Sequence, residues 1–117
     1  MLKFEERRVA RRTQQSYAVQ LKIVFSSDNP RTLGQVLDGA TVDVSASGLR
    51  LSMHQPLSVN STIDIKVTLD RDFREYFLSA KVRWCKQMDD GSYQAGAELQ
   101  ELSDTPTDYR AWKMMFK

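Results

Sequence analysis

At 117 residues, 41% hydrophobic and 27% charged, the chain has the length and composition of one soluble globular domain, not of a disordered tract. Its longest apolar runs, such as Ile23-Val24-Phe25, are too short for a membrane helix, its charged start does not read as a secretory leader, and a single cysteine, Cys85, excludes an internal disulfide and a cysteine-built zinc site. The expectation is a cytoplasmic protein with no membrane insertion. The net charge of +2 is unevenly distributed: residues 1–12 carry Lys3, Arg7, Arg8, Arg11 and Arg12 against Glu5 and Glu6, which leaves twelve basic and thirteen acidic residues in the remainder. A general nucleic-acid binder spreads positive charge over a face. Concentration of arginine in one arm points instead to a compact anionic partner.

After the arm, Tyr17, Val19, Leu21, Ile23 and Phe25 alternate with more polar residues, the period-two pattern of a half-buried strand. A second, less regular stretch runs from about Gln35 to Val44, where Asp38-Gly39 is expected to turn or bulge the chain. Four more alternating stretches follow: Leu49–Met53, Ile63–Leu69, Leu78–Trp84 and Ala95–Leu99. Ser26–Pro30, Gln55–Leu57 and Asp89–Ser92 separate strands with turn-forming residues. Strands recurring without intervening helices predict an antiparallel sheet, and closing it into a barrel removes its edges. At the end of the chain, Asp104 or Thr105 can cap a helix, Pro106 suits its first turn and Asp108 complements its dipole. Tyr109, Trp112 and Phe116 then form one stripe able to lie across the barrel. The expected fold is an all-β, six-stranded antiparallel barrel over 17–102, with a flexible ligand-binding arm at 1–16 and a helix at 104–117, in one domain.

Few residues suit catalysis. The single histidine, His54, sits in a His-Gln-Pro turn with no partner legible in the sequence. Asp70, Asp72 and Glu75 lack the spacing of a calcium loop and are interleaved with Arg71 and Arg74, so they read as a solvated charge run. The expectation is a protein that is not an enzyme and needs no metal or cofactor.

Two patterns are more specific. Arg-x-x-x-Arg occurs twice in the arm, from Arg7 to Arg11 and from Arg8 to Arg12. Guanidinium forks suit bidentate bonding to phosphate or to guanine O6 and N7, although a solvated basic tail has the same composition. About thirty residues later, Asp43-Val44-Ser45-Ala46-Ser47-Gly48 places Asp-x-Ser-x-x-Gly between two predicted strands. Asp43 and Ser45, two apart, are expected on one side of the strand. Gly48 would permit a positive φ or a close backbone approach, and the hexapeptide also suits an ordinary Asx-rich turn.

Together, the arginine arm, the Asp-x-Ser-x-x-Gly turn and six strands resemble the PilZ domain, a bacterial family that binds the second messenger cyclic di-GMP. The likeness covers nearly the whole chain, with Val82-Arg83-Trp84 similar to the family's late strand and Gly96 to its last. Aligning Arg8 and Arg12 with the motif leaves Tyr17, Val19 and Leu21 on the first strand's apolar positions; Arg7 then immediately precedes it, while Thr13 and Gln15 depart from the aliphatic residues common there. The resemblance implies that Arg8 and Arg12 hold guanine and phosphate groups, that Arg7 is a ligand-binding residue at the position that influences whether one ligand molecule or a stacked pair is bound, that Asp43 and Ser45 read a guanine edge, and that Gly48 keeps the turn tight. Arg11, Ser47 and Trp84 are further candidates, Trp84 either stacking on a base or filling the barrel core. It also implies a monomer or weak homo-oligomer in which cyclic di-GMP orders the arm and changes the surface offered to a downstream protein partner, regulating motility, attachment, exopolysaccharide production or virulence. The alternatives are a PilZ-like adaptor that binds proteins without the nucleotide and a barrel that binds single-stranded nucleic acid.

Overall fold

The computed structural model describes residues 16–26, 30–69, 74–102 and 106–116. Six strands form a closed antiparallel barrel: β1 (Ala18–Phe25), β2 (Val36–Val44), β3 (Gly48–Met53), β4 (Thr62–Thr68), β5 (Glu75–Gln87) and β6 (Tyr93–Gln100). Around the barrel they run β1-β2-β3-β6-β5-β4, and β1 closes it by pairing Leu21 with Ile65 of β4. The alternation in the sequence becomes the wall: Val19, Leu21 and Ile23 point inward with Leu49, Leu51 and Met53, Ile63, Ile65 and Val67, and Leu78, Ala80 and Val82. On β6 the inward positions next to these larger groups are Ala95 and Ala97, as a narrow interior requires.

Two local readings of the sequence are corrected. Asp38-Gly39 neither turns nor bulges β2; both pair regularly, with Gln20 and Val19. Gly39 instead permits close approach, since a Cβ there would lie 2.6 Å from the Ser52 carbonyl oxygen. The β2 irregularity falls farther on, where Thr41 pairs with Leu51 and Asp43 with Arg50, so Val42 is an extra residue.

The terminal helix, α1, spans only Tyr109–Met114, with Asp108 at its N-cap. Pro106 and Thr107 precede it rather than forming its first turn, and Asp104 and Thr105 lie outside the described residues. Helix formation starts late because Asp108 is tied to β5: its backbone N–H donates to the Phe77 carbonyl at 2.8 Å, and its carboxylate accepts the Phe77 N–H at 2.8 Å. The Tyr109 amide donates to the Thr107 hydroxyl at 3.3 Å. The expected aromatic stripe does cross the barrel. Trp112 is fully buried, meets Tyr76 edge-on at 5.6 Å between ring centroids and contacts Phe116 at 5.3 Å. No helix among the described residues is long and apolar enough to cross a membrane.

Candidate ligand site

The Asp43–Gly48 segment makes a tight connection between β2 and β3. The Ser45 amide donates to the Gly48 carbonyl at 2.9 Å, and the Gly48 amide donates to the Ser45 hydroxyl at 3.1 Å. Ser45 is the first residue past β2, which ends at Val44, and it is buried like Asp43. Ser45 is buried with its hydroxyl inside the turn, whereas Ser47 is exposed at the rim of the adjoining cleft. Gly48 is not among the positive-φ glycines; a Cβ there would lie 2.9 Å from the Ala97 carbonyl oxygen, so close approach to β6 is the reason for glycine. The turn is also fastened to the helix, since the Trp112 indole N–H donates to the Ser45 carbonyl at 2.9 Å.

Register carries the site outward from this turn across four strands. Asp43 pairs with Arg50, Arg50 with Gly96, and Gly96 with Trp84, so a carboxylate, a guanidinium, a gap and an indole stand in one transverse row. Asp43 is buried, and its Oδ2 accepts the Arg50 Nε–H at 3.0 Å and a second bond from Nη2. In the neighbouring row, the Arg83 Nε–H donates to Glu98 Oε1 at 2.6 Å, with Nη2 on the same oxygen. These groups line an open cleft of 510 Å³ on the outer wall, together with Ser47 and Gly48. The cleft balances two guanidiniums against two carboxylates, so net attraction for an anion must come from elsewhere in the chain.

Trp84 belongs to this cleft and not to the core. Strict alternation puts it inside with Leu78, Ala80 and Val82, but Val82 pairs with Ala97 and Trp84 with the adjacent Gly96, which makes Arg83 an inserted bulge residue. The face therefore switches, and Trp84 is 40% exposed. Arg50, Arg83, Glu98 and the role of Gly96 escaped sequence reasoning because cross-strand register brings them together and no spacing signals it. Arg7, Arg8, Arg11 and Arg12 lie outside the described residues. The described chain begins beside the site: Tyr17 donates its N–H to Thr41 Oγ1 at 2.8 Å and accepts the Thr41 N–H at 2.9 Å, two residues from Asp43. His54 is exposed beyond β3, and Cys85 accepts the Leu57 N–H at 3.5 Å; neither lines the cleft. Among the described residues, no group of three or more histidine, cysteine or acidic side chains is placed to hold a metal.

A closed six-stranded barrel bearing an Asp-x-Ser-x-x-Gly turn beside an outer polar cleft defines the class of fold. Residues 6–110 match the PilZ domain, and the chain belongs to that family. Solved structures similar to it include the Bacillus subtilis inhibitor of motility MotI/DgrA, at 16% identity and TM-score 0.64 over 89% of this chain and 46% of that one. The chain thus spans about half of MotI. The PilZ domain of CeSA from a cellulose-synthesizing bacterium is similar at 17% identity and TM-score 0.60, covering 92% of this chain and 95% of that one. The PilZ domain of Escherichia coli YcgR, solved with cyclic di-GMP, is similar at 15% identity and TM-score 0.64 over 94% and 88% of the two chains. Comparison with curated proteins finds no match.

Proposed function

We propose that the protein is a cyclic di-GMP receptor whose ligand occupies the cleft beside Asp43–Gly48 and is clamped by the arginine arm. The observation that carries this reading is the placement of the Asp-x-Ser-x-x-Gly turn, on a PilZ barrel, at the wall of an open cleft next to the point where the arm joins β1. Arg12 is five residues before Tyr17, a tether of at most roughly 17 Å, and Tyr17 is bonded to Thr41, two residues from Asp43. The cleft's own charges are paired, and the arm supplies the excess positive charge for a dianionic ligand.

In this reading Arg8 and Arg12 bind phosphate and guanine groups, with Arg7 and Arg11 adjacent. Asp43, oriented by Arg50, accepts from a guanine N–H edge, and the Ser47 hydroxyl offers a polar contact at the rim. Ser45 and Gly48 act through the shape of the turn. Trp84 presents an exposed indole face to a base. Charge-assisted bonds contribute about 1.5–3 kcal/mol each. Three or four of them reach the range of micromolar binding, about −8 kcal/mol. Closing of the arm changes the surface next to the turn, and the output passes to a protein partner, with motility, attachment, exopolysaccharide production or virulence the process controlled.

Isothermal titration with cyclic di-GMP, with Arg8→Ala/Arg12→Ala as control, tests the proposal. Saturable binding lost in the double variant is expected, and the stoichiometry distinguishes one ligand from a stacked pair. Absence of heat and of any thermal shift at high ligand concentration would overturn the receptor reading in favour of a protein-binding adaptor. Binding retained in the double variant would shift the motif to Arg7 and Arg11.

A further inference from the structure

The cleft contains one glycine whose lack of a side chain is used by a neighbouring aromatic. A Cβ at Gly96 would lie 2.2 Å from Trp84 Nε1, 2.6 Å from Cε2 and 2.8 Å from Cδ1, and these are its three nearest contacts. All are far inside van der Waals separation, so the indole rests directly on the β6 backbone in the space a side chain would occupy. Two features create the arrangement. The bulge at Arg83 turns Trp84 to the outer face, and the β5–β6 register sets it directly opposite Gly96. Arg50 faces Gly96 from the other side, on β3. The indole therefore lies low across the row, with one side on the strand and its remaining exposed surface toward the cleft.

We propose that Gly96 is a positioning residue for ligand recognition: by leaving its outer face bare it lets the Trp84 indole lie flat as a shelf on which a purine base stacks, in line with Asp43 and Arg50. This rests on the nucleotide reading above and adds a residue to it. The physical requirement is planarity. A base gains from stacking only if the indole face is parallel to it and at the right depth. A methyl group at 96 would tilt or lift the indole into the cleft while leaving its chemistry unchanged. The arrangement also explains an apparent local conflict, since glycine inside a strand ordinarily weakens it.

The test is a double-mutant cycle of Gly96→Ala and Trp84→Ala, read in three ways. In the nitrogen–proton correlation spectrum, the indole N–H peaks of Trp84 and Trp112 are distinguished by Trp84→Phe; Gly96→Ala should move the Trp84 peak and leave that of Trp112 in place. In titration with cyclic di-GMP, Trp84→Ala should weaken binding roughly 5- to 150-fold, the range of one base stacked on an aromatic ring. Gly96→Ala should cause a comparable loss with Trp84 present and no further loss in Trp84→Ala. In thermal unfolding, alanine at 96 should raise Tm by roughly 2–5 °C in the Trp84→Ala background, where only its strand preference acts. With the indole present that gain should vanish or reverse. The unfolding cycle remains informative if Gly96→Ala alone is too unstable to titrate.

An unmoved Trp84 peak, or an equal loss of affinity on adding Gly96→Ala in both backgrounds, would overturn the inference while leaving the receptor reading intact. Absence of nucleotide binding by the unmodified protein would overturn both, and the indole peak would then show only that the packing had been read correctly.

Discussion

Replacing Trp112 tests whether the helix holds the turn. Trp112 is fully buried, and its one polar atom donates to the Ser45 carbonyl at 2.9 Å. Trp112→Phe keeps an aromatic ring for the edge-on contact with Tyr76 but removes that donor and leaves the carbonyl facing an apolar ring. Loss of a buried acceptor's partner costs about 1–3 kcal/mol. Trp112→Ala adds loss of the ring itself, about 3–5 kcal/mol for a large-to-small core change. Against a total stability of about 5–15 kcal/mol, the first variant should fold and the second should be marginal. Urea denaturation measures the difference. Amide exchange localises it: in Trp112→Phe the Ser45 and Gly48 amides, bonded within the turn, should exchange faster than that of Ile65 in β4. If Trp112→Phe were within about 0.5 kcal/mol of the unmodified protein, as for an ordinary surface change, and exchange at the turn were unchanged, the indole bond would not be what secures the turn.

Three further outcomes are expected. Asp43→Ala should weaken cyclic di-GMP binding by roughly 10- to 150-fold, the equivalent of one charge-assisted bond, and abolish any preference over cyclic di-AMP in competition titrations. Equal binding of the two nucleotides by the unmodified protein would refute edge reading. Arg50→Ala should destabilise the fold by about 1.5–3 kcal/mol in denaturant, because Asp43 is buried while Arg50 is only partly so, which puts the pair between surface and core values. Finally, bonds from the Ser92 hydroxyl and amide hold the Asp90 carboxyl below its ordinary pKa. Its favourable contribution is therefore present above about pH 3.9 and is lost as pH falls through the depressed folded value. Carbon-detected titration of Ser92→Ala should move the Asp90 midpoint upward; an unchanged midpoint would refute the role of the hydroxyl.

Five of the six strands were legible because one side faces the interior and the other outward, which writes a period of two into residues such as Val19-Gln20-Leu21-Lys22-Ile23, whereas β2 read as less regular and carries its extra residue at Val42. The Asp-x-Ser-x-x-Gly turn was legible for a related reason, since a short connection with close backbone approach restricts residue types locally. The sequence also showed that positive charge is concentrated at residues 1–12, as charge is a property of composition.

Tertiary structure decided the rest. A one-residue bulge reverses every later side chain on its strand, so the same alternation that correctly placed Val82 inside wrongly extended to Trp84. The Gly48 amide donates to the Ser45 hydroxyl inside the turn, and Ser45 is not among the residues lining the cleft. The helix began late because the carboxylate and amide of Asp108 bond to Phe77, 31 residues earlier in the chain. The row from Asp43 through Arg50 and Gly96 to Trp84 joins two hairpins, β2–β3 and β5–β6, which become neighbours only where β3 pairs with β6. Local sequence specifies which residues alternate and which can turn; register between distant strands, set by packing of the whole core, determines which of them meet.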